Sequence, residues 1–255
     1  MKFDWLFKVP VAHRGLHDDE LPENSMPAFA AAIEHGFNIE IDVHLSSDGH
    51  LVVFHDDNLK RVCGIDKKVK DCTVEELTKT HLYDTEFCIP TFDEFLELVN
   101  GQVGILCEIK GLNPADTSIA AAVCERVKSY KGDIALQSFN FGAVAYCKKH
   151  SDRPSGQLCT WRNPKGTKRS HLTDFMGKLW VTKLSDPDFI AYDIRDLDAN
   201  KYVVKARKKV PVITWTVNTP EKLATAHKYA DNIIFETIGS LVAQEYSSVL
   251  KDSLL

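Results

Sequence analysis

Ile39-Glu40-Ile41-Asp42-Val43 and, further along, Ile105-Leu106-Cys107-Glu108-Ile109-Lys110 alternate apolar and charged residues with the period of a strand. Successive side chains of a strand point to opposite faces, so Ile39, Ile41 and Val43 share one face and Glu40 and Asp42 the other. Glu108 and Lys110 likewise share a face near the end of their stretch. Carboxylates on the inner face of a buried strand are costly unless a cation or a retained proton compensates them.

Outward from these two stretches, apolar strand candidates recur at 9–14, 38–44, 103–109, 133–139, 155–160, 189–194, 211–217 and 232–236. Between most of them lie helical patterns with apolar residues at three- and four-residue spacing: Ser25–His35, Ala115–Ser129, Phe141–Lys149, Asp198–Lys208 and Glu221–Tyr229. Pro114, Pro187, Pro211 and Pro220 fall at element boundaries. This alternation predicts an α/β fold, a TIM-type (β/α)8 barrel rather than an open doubly wound sheet. The length of 255 residues suits one such domain spanning 1–255. One interval breaks the rhythm. Ser47-Asp48-Gly49-His50 reads as a turn into a second short strand at 51–55, and helical patterns at Thr73–Thr80 and Thr91–Val99 precede the next barrel strand. The reading is a small insertion between strands two and three, at about 56–100, on the face where barrel active sites are built.

The composition is that of a globular chain, 44% hydrophobic and 26% charged, with a formal net charge of -5. That balance gives no general attraction for nucleic acid or an anionic membrane surface. No stretch reaches the roughly 18 apolar residues of a membrane span, so no stable membrane insertion is expected. Met1 to Val9 carries Lys2, Asp4 and Lys8, shows no secretory pattern and reads as leading directly into a strand. The seven cysteines include no close C-x-x-C pair and several lie in apolar periodic segments, so buried reduced thiols and a cytoplasmic location are expected. The stretch Trp161 to Ser170, with Arg162, Lys165, Lys168 and Arg169, reads as a basic loop. Oligomeric state is left open.

Adjacent barrel strands bring their end residues together, so Glu40, Asp42 and Glu108 can converge on one ion. All-oxygen ligation suits one divalent cation, Mg2+ or Ca2+, rather than zinc. The plainer alternative is that these carboxylates form salt bridges with Arg14 or Lys110. Three carboxylates, a divalent ion and two permanent cations leave a site near plus one, matched to the single negative charge of a phosphodiester. His13 and His55 end their strands near the same mouth, where one can accept a proton while the other donates to the leaving alkoxide. His44 shares the inward phase of Asp42 but lies beyond the ligand layer, and the other histidines read as structural.

These residues resemble the glycerophosphodiester phosphodiesterase family of the small bacterial type. The resemblance runs through Val11-Ala12-His13-Arg14-Gly15, Pro22-Glu23-Asn24-Ser25, Glu40-Ile41-Asp42-Val43, Asp48-Gly49, His55-Asp56, Ile89-Pro90-Thr91, Glu108-Ile109-Lys110, Gln137-Ser138-Phe139 and Trp215-Thr216-Val217-Asn218. It covers nearly the whole chain, and the ordered combination is far more specific than any one motif. It implies His13 and His55 as an acid/base pair, Glu40, Asp42 and Glu108 as cation ligands, and Arg14 and Lys110 on the phosphate. Phe139 and Trp215 would line the pocket. The reaction implied is hydrolysis of a glycerophosphodiester to glycerol 3-phosphate and an alcohol. Glu23 and Asn24 read as helix-start residues rather than as chemistry.

Two departures stand out. The chain reads Phe235-Glu236-Thr237 where the family usually has Asp and Pro, and residue 38 is Asn where an acid is common. Neither is expected to touch the catalytic set. A barrel glycosidase would leave the two histidines, Arg14 and Lys110 without a role. A noncatalytic phosphate-ester binding barrel would have no need of both histidines. A lysophospholipase D-like variant would need an apolar apron at the mouth, which Lys67-Lys68-Val69-Lys70 in the insertion does not supply.

Overall fold

The alternation around Glu40 and Asp42 forms strand β2 (Asn38–Leu45), whose buried residues face both the barrel interior and the surrounding helices. The computed structural model describes residues 3–162 and 170–253. The other strands are β1 (Val11–Ala12), β3 (Leu51–Val53), β4 (Ile105–Ile109), β5 (Ile134–Ser138), β6 (Ser155–Cys159), β7 (Phe189–Asp193), β8 (Val212–Val217) and β9 (Asn232–Phe235). β1 pairs in parallel with both β9 and β2, closing eight parallel strands into a barrel. β3 lies outside that ring, antiparallel to β2.

Two apolar layers hold the barrel. Ile39, Ile41 and Val43 pack outward with Phe29 and Ala32 of α2 (Met26–Glu34) and Phe95 of α5 (Phe92–Val99). The Phe29 and Phe95 rings meet edge to face at 4.6 Å. Val11, Leu106, Ala135, Phe189, Ile213 and Ile234 fill the interior. The N-terminal end is closed by α1 (Trp5–Lys8), a single turn where the sequence suggested a direct run into the first strand. β1 is correspondingly only two residues long, because Pro10 cannot donate to the ladder. Asn38 knits this end together: its amide donates to the carbonyls of Val9 and Trp5, and its oxygen accepts the Gly104 N–H at 2.9 Å. Asn232 donates to the carbonyls of Leu6 and Val9, both at 2.7 Å.

The segment after β2 has a nucleus of its own. Val52, Phe54, Leu59, Val62, Val69 and Leu77 form a hydrophobic cluster separate from the barrel layers. Its helices α3 (Lys60–Cys63) and α4 (Val74–Thr78) are short. Thr73 and Glu76 form a capping box on α4, and Thr91 and Glu94 form one on α5. α5 itself belongs to the barrel's outer layer through Phe92, Phe95 and Leu96.

Several helices are shorter than their periodicity suggested. α6 (Ser118–Val127) starts only after Asp116 accepts the Ser118 N–H, and α10 (Lys201–Ala206) is capped by Asn200. α8 (His171–Gly177) and α9 (Thr182–Ser185) follow β6 where no periodicity announced them. In the basic loop, Arg162 pairs with Asp196 at 2.9 Å, whereas Lys165, Lys168 and Arg169 lie outside the described residues. Among the described residues, no helix is long and apolar enough to cross a membrane.

Candidate active site

Strand register brings the acids together at the C-terminal end of the barrel. Asp42 is directly opposite Glu108, and Glu40 sits one layer deeper, opposite Leu106. Ligand oxygens of Glu40, Asp42 and Glu108 all lie within 4.8 Å of one another, as the sequence anticipated. Lys110 bridges Asp42 at 3.1 Å and Glu108 at 2.9 Å, and Arg14 Nε approaches Asp42 at 3.4 Å. The salt-bridge alternative is therefore realised for two of the acids without dispersing the trio. Glu40 instead accepts the backbone N–H of Arg14 at 3.1 Å.

The electrostatics divide the acids. Burial opposes charge on Asp42, but Lys110, His55, Arg14 and His13 outweigh it and hold this carboxyl well below the usual range. Burial pushes Glu40 well above that range, reinforced by Asp42 and Glu108. Glu108 is raised mainly by burial, with Lys110 opposing. A buried all-oxygen trio with one member so short of positive charge fits a hard divalent cation better than it fits a closed salt-bridge cluster.

Local backbone explains the position of the first motif. Arg14 and Asn24 both adopt left-handed backbone, at φ 54° and 53°, and the Asn24 N–H donates to the Arg14 carbonyl at 2.9 Å. Gly15 follows at φ 82°, with the α2 backbone so near that an added Cβ would lie 2.9 Å from the Ala28 carbonyl carbon. Ser25 caps α2 through the Ala28 N–H. Asn24 and Glu23 do more than the helix-start role expected of them. Asn24 Nδ2 donates to Asp42 at 2.9 Å, while Glu23 accepts from Arg14 at 2.8 Å and from Arg61 at 2.7 Å.

His13 and His55 reach the same cavity, each held by a carboxylate. His13 Nδ1 lies 2.8 Å from Glu236, and His55 Nδ1 lies 2.5 Å from Asp56. With Nδ1 donating to a carboxylate, the neutral ring leaves Nε2 as the acceptor. Burial lowers both imidazole pKa values; Glu236 acts against it at His13, and Asp42 at His55. Arg61 Nε closes the second array on Asp56 at 2.7 Å. Glu236, the carboxylate that holds His13, was not singled out from the sequence. The departure after the last strand was expected to leave the proton-transfer set alone, yet it supplies the His13 partner. Its signal was present in the position after β9, where the strand register sets it beside β1. His17 Nε2 also lies 3.8 Å from Glu236. His44 donates to, or accepts at, no trio member in this arrangement; its Nε2 lies 3.2 Å from the His55 carbonyl and steadies the hairpin.

A family model described as Glycerophosphoryl diester phosphodiesterase family matches residues 13–238. The chain belongs to that family. A curated relative from Caldanaerobacter subterraneus, named glycerophosphodiester phosphodiesterase, is 34% identical over 149 residues, covering 54% of this chain and 61% of the relative. The matched region thus spans about three fifths of that relative's length. The solved glycerophosphodiester phosphodiesterase of Thermotoga maritima is 29% identical, with a TM-score of 0.71 over 94% of this chain and 98% of that one. A phosphodiesterase of Oleispira antarctica, solved with its product sn-glycerol-3-phosphate, has a TM-score of 0.75 at 22% identity, over 95% and 97% of the two chains. That last likeness shows the fold, a TIM barrel.

In this member of the glycerophosphoryl diester phosphodiesterase family Glu40, Glu108 and both histidines line a cavity of about 1190 Å3, while Asp42 is itself buried. Phe139 and Trp215, both on its wall, stack edge to face with centroids 5.6 Å apart. Gln137, in register with Glu108, also lines it, and its Oε1 is a buried oxygen without a protein hydrogen bond.

Proposed function

We propose that the chain hydrolyses glycerophosphodiesters to glycerol 3-phosphate and an alcohol, with His13 and His55 exchanging protons beside a divalent cation held by Glu40, Asp42 and Glu108. The observation that carries this reading is the placement of two carboxylate-held imidazoles on one cavity with Glu40 and Glu108, whose ligand oxygens cluster with those of Asp42. The cation, Mg2+ or Ca2+, would supply positive charge to phosphate and glycerol oxygens and complete the charge balance at Glu40.

Arg14 and Lys110 would take phosphate oxygens. Both are already oriented by Asp42, so little reorganisation is needed when substrate arrives. One imidazole accepts the proton of the attacking hydroxyl through Nε2, and the other donates to the alcohol oxygen as the P–O bond breaks. Glu236 and Asp56 fix the two rings and stabilise whichever becomes charged. The glycerol 2-hydroxyl is the nearest available nucleophile on such a substrate, and attack from within the bound molecule carries a large effective concentration; water then opens the cyclic phosphate. Phe139 and Trp215 pack the glycerol carbons. On this reading residues 1–255 act as one domain, and the insertion at about 56–100 follows directly on His55 and lines the cavity through Asp57, Lys60 and Arg61. A soluble small-molecule substrate and a cytoplasmic site of action suit a chain with no attraction to anionic surfaces.

The test is release of glycerol 3-phosphate from glycerophosphocholine and glycerophosphoethanolamine with and without chelator. Turnover that stops on chelation and returns with Mg2+ or Ca2+ is expected. Turnover that survives complete chelation would remove the cation from the reading, and a chain that binds these diesters without cleaving them would be the noncatalytic barrel.

A further inference from the structure

His13 belongs to a second group of metal-ligating side chains, whose other members the proposed reaction uses only in part. After β1 the chain turns back through the positive φ of Arg14 and Gly15, and the Leu16 N–H donates to the Ala28 carbonyl at 2.9 Å. That turn returns His17 to the same carboxylate as His13. Glu236 is fixed from its other side: Asn218 Nδ2 donates to Oε1 at 3.2 Å, and the Glu236 N–H donates to the Val217 carbonyl at 3.2 Å. Oε2 is left toward both imidazoles, 2.8 Å from His13 Nδ1 and 3.8 Å from His17 Nε2. One ligand atom from each of the three residues lies within 4.8 Å of the others. His17 Nε2 is the unsatisfied member. It is buried, too far from Glu236 for a hydrogen bond, and without a hydrogen-bond partner among the described residues. Two donors each about 2 Å from a tetrahedral ion lie roughly 3.3 Å apart, and the two separations at Oε2 fall on either side of that.

We propose that His13, His17 and Glu236 form a binding site for zinc, and that filling it switches turnover off. Two imidazoles and one carboxylate, with water as a fourth ligand, suit zinc and suit Mg2+ or Ca2+ poorly, whereas the all-oxygen trio has the opposite preference. The carboxylate that completes the site stands where this chain departs from the usual family pattern. His13, His17 and Glu236 are 15%, 19% and 24% exposed, which leaves an ion a way in. The site stands on geometry alone; its effect on turnover rests on the role proposed above for His13. An ion on Nδ1 takes the lone pair freed as the ring's proton passes from Nδ1 to Nε2, so the ring stays neutral and no proton is lost. Nε2 then carries a hydrogen and cannot accept one from an attacking hydroxyl. Nor can it readily give that hydrogen to a leaving alkoxide, because an imidazolate would remain. His13 lines the cavity but His17 and Glu236 do not, so substrate does not compete with the ion.

Binding tests it independently of turnover. Zn2+ is titrated calorimetrically into the full-length protein saturated with Mg2+, as wild type, His17→Ala and His17→Phe. Wild type should show a binding event that both variants weaken by at least about tenfold, since losing even the hydrogen-bond partner of a ligand costs a metal site that much. With glycerophosphocholine as substrate, zinc should lower the wild-type kcat with KM little changed, and raising Mg2+ should not relieve the inhibition. Both variants should match wild type without zinc and need at least about tenfold more of it for half-inhibition. No zinc event in wild type, an event of equal strength in the variants, or inhibition that excess Mg2+ relieves would each overturn the proposal. Failure of the underlying function is distinguishable, since wild type would then cleave no glycerophosphocholine with Mg2+ while the calorimetric difference from the variants remained.

Discussion

The two ends of the barrel bury polar side chains on the same strand to opposite effect. At the N-terminal end Asn38 is neutral and spends its amide on Val9, Trp5 and Gly104. A few residues along β2, Glu40 and Asp42 bring charge to the C-terminal end, and Glu40 is left with a backbone N–H and a raised pKa. The first arrangement satisfies its groups within the fold and closes it. The second leaves its groups dependent on something from outside, which is what a binding site requires.

The sharpest way to break this comparison is at the histidines. His13→Ala and His55→Ala should each lower kcat by at least about a hundredfold while the denaturation midpoint hardly moves; wild-type rates in either variant would refute their assignment. At the other end the effect should be reversed. Asn38→Ala is expected to cost about 2 kcal/mol of stability, because the Gly104 N–H and two carbonyls lose their partner, while kcat/KM holds. Urea titration and steady-state kinetics on the same preparation separate the two outcomes, and loss of activity in the folded variant would contradict the division.

Glu236→Gln probes whether the carboxylate after β9 belongs to the reactive end. A drop in kcat of about tenfold with KM little changed is expected. The limb of the pH profile that reports His13, acid if it is the base and alkaline if it is the acid, should also move to lower pH, since the Glu236 hydrogen bond is what raises His13 against burial. A profile with both limbs unmoved would make Glu236 structural only.

The smallest effect should come from Arg61. Its hydrogen bond and charge, with help from Arg14, outweigh the burial of Glu23 and lower that carboxyl from 4.5 to about 2. A depressed carboxylate stabilises the fold above its unfolded pKa and loses that contribution as pH falls through the folded value. Arg61→Ala should therefore cost about 1 kcal/mol at neutral pH, a figure reduced because the arginine is 45% exposed. The difference from wild type should shrink as pH falls from about 4.5 to about 2. Denaturation midpoints of both proteins across that range would show it, and a constant difference would mean that Arg61 acts through packing.

Much of this was legible in the chain because strand alternation is a strong signal when the inward face carries acids. The eight barrel strands, the convergence of Glu40, Asp42 and Glu108, and the placement of both histidines on one cavity all follow from phase and order. What was not legible depends on closure. Glu236 meets His13 only because β9 lies beside β1, a contact between the two ends of the sequence. Asn24 and Glu23 reach the site through a left-handed turn that periodicity cannot express. Leu172 and Phe175 reach the cavity from a short helix, α8, that no periodicity announced.

The separate nucleus around Val52, Phe54 and Leu77 has a consequence for how such a protein can change. Because that small cluster carries its own weight, substitutions within it can tilt His55 and remodel the part of the cavity lined by Asp57, Lys60 and Arg61 without disturbing how the eight strands close. On the proposed function, selectivity for the departing group and the strength of cation capture can thus drift apart over evolutionary time, one travelling with the appendage and the other with the barrel.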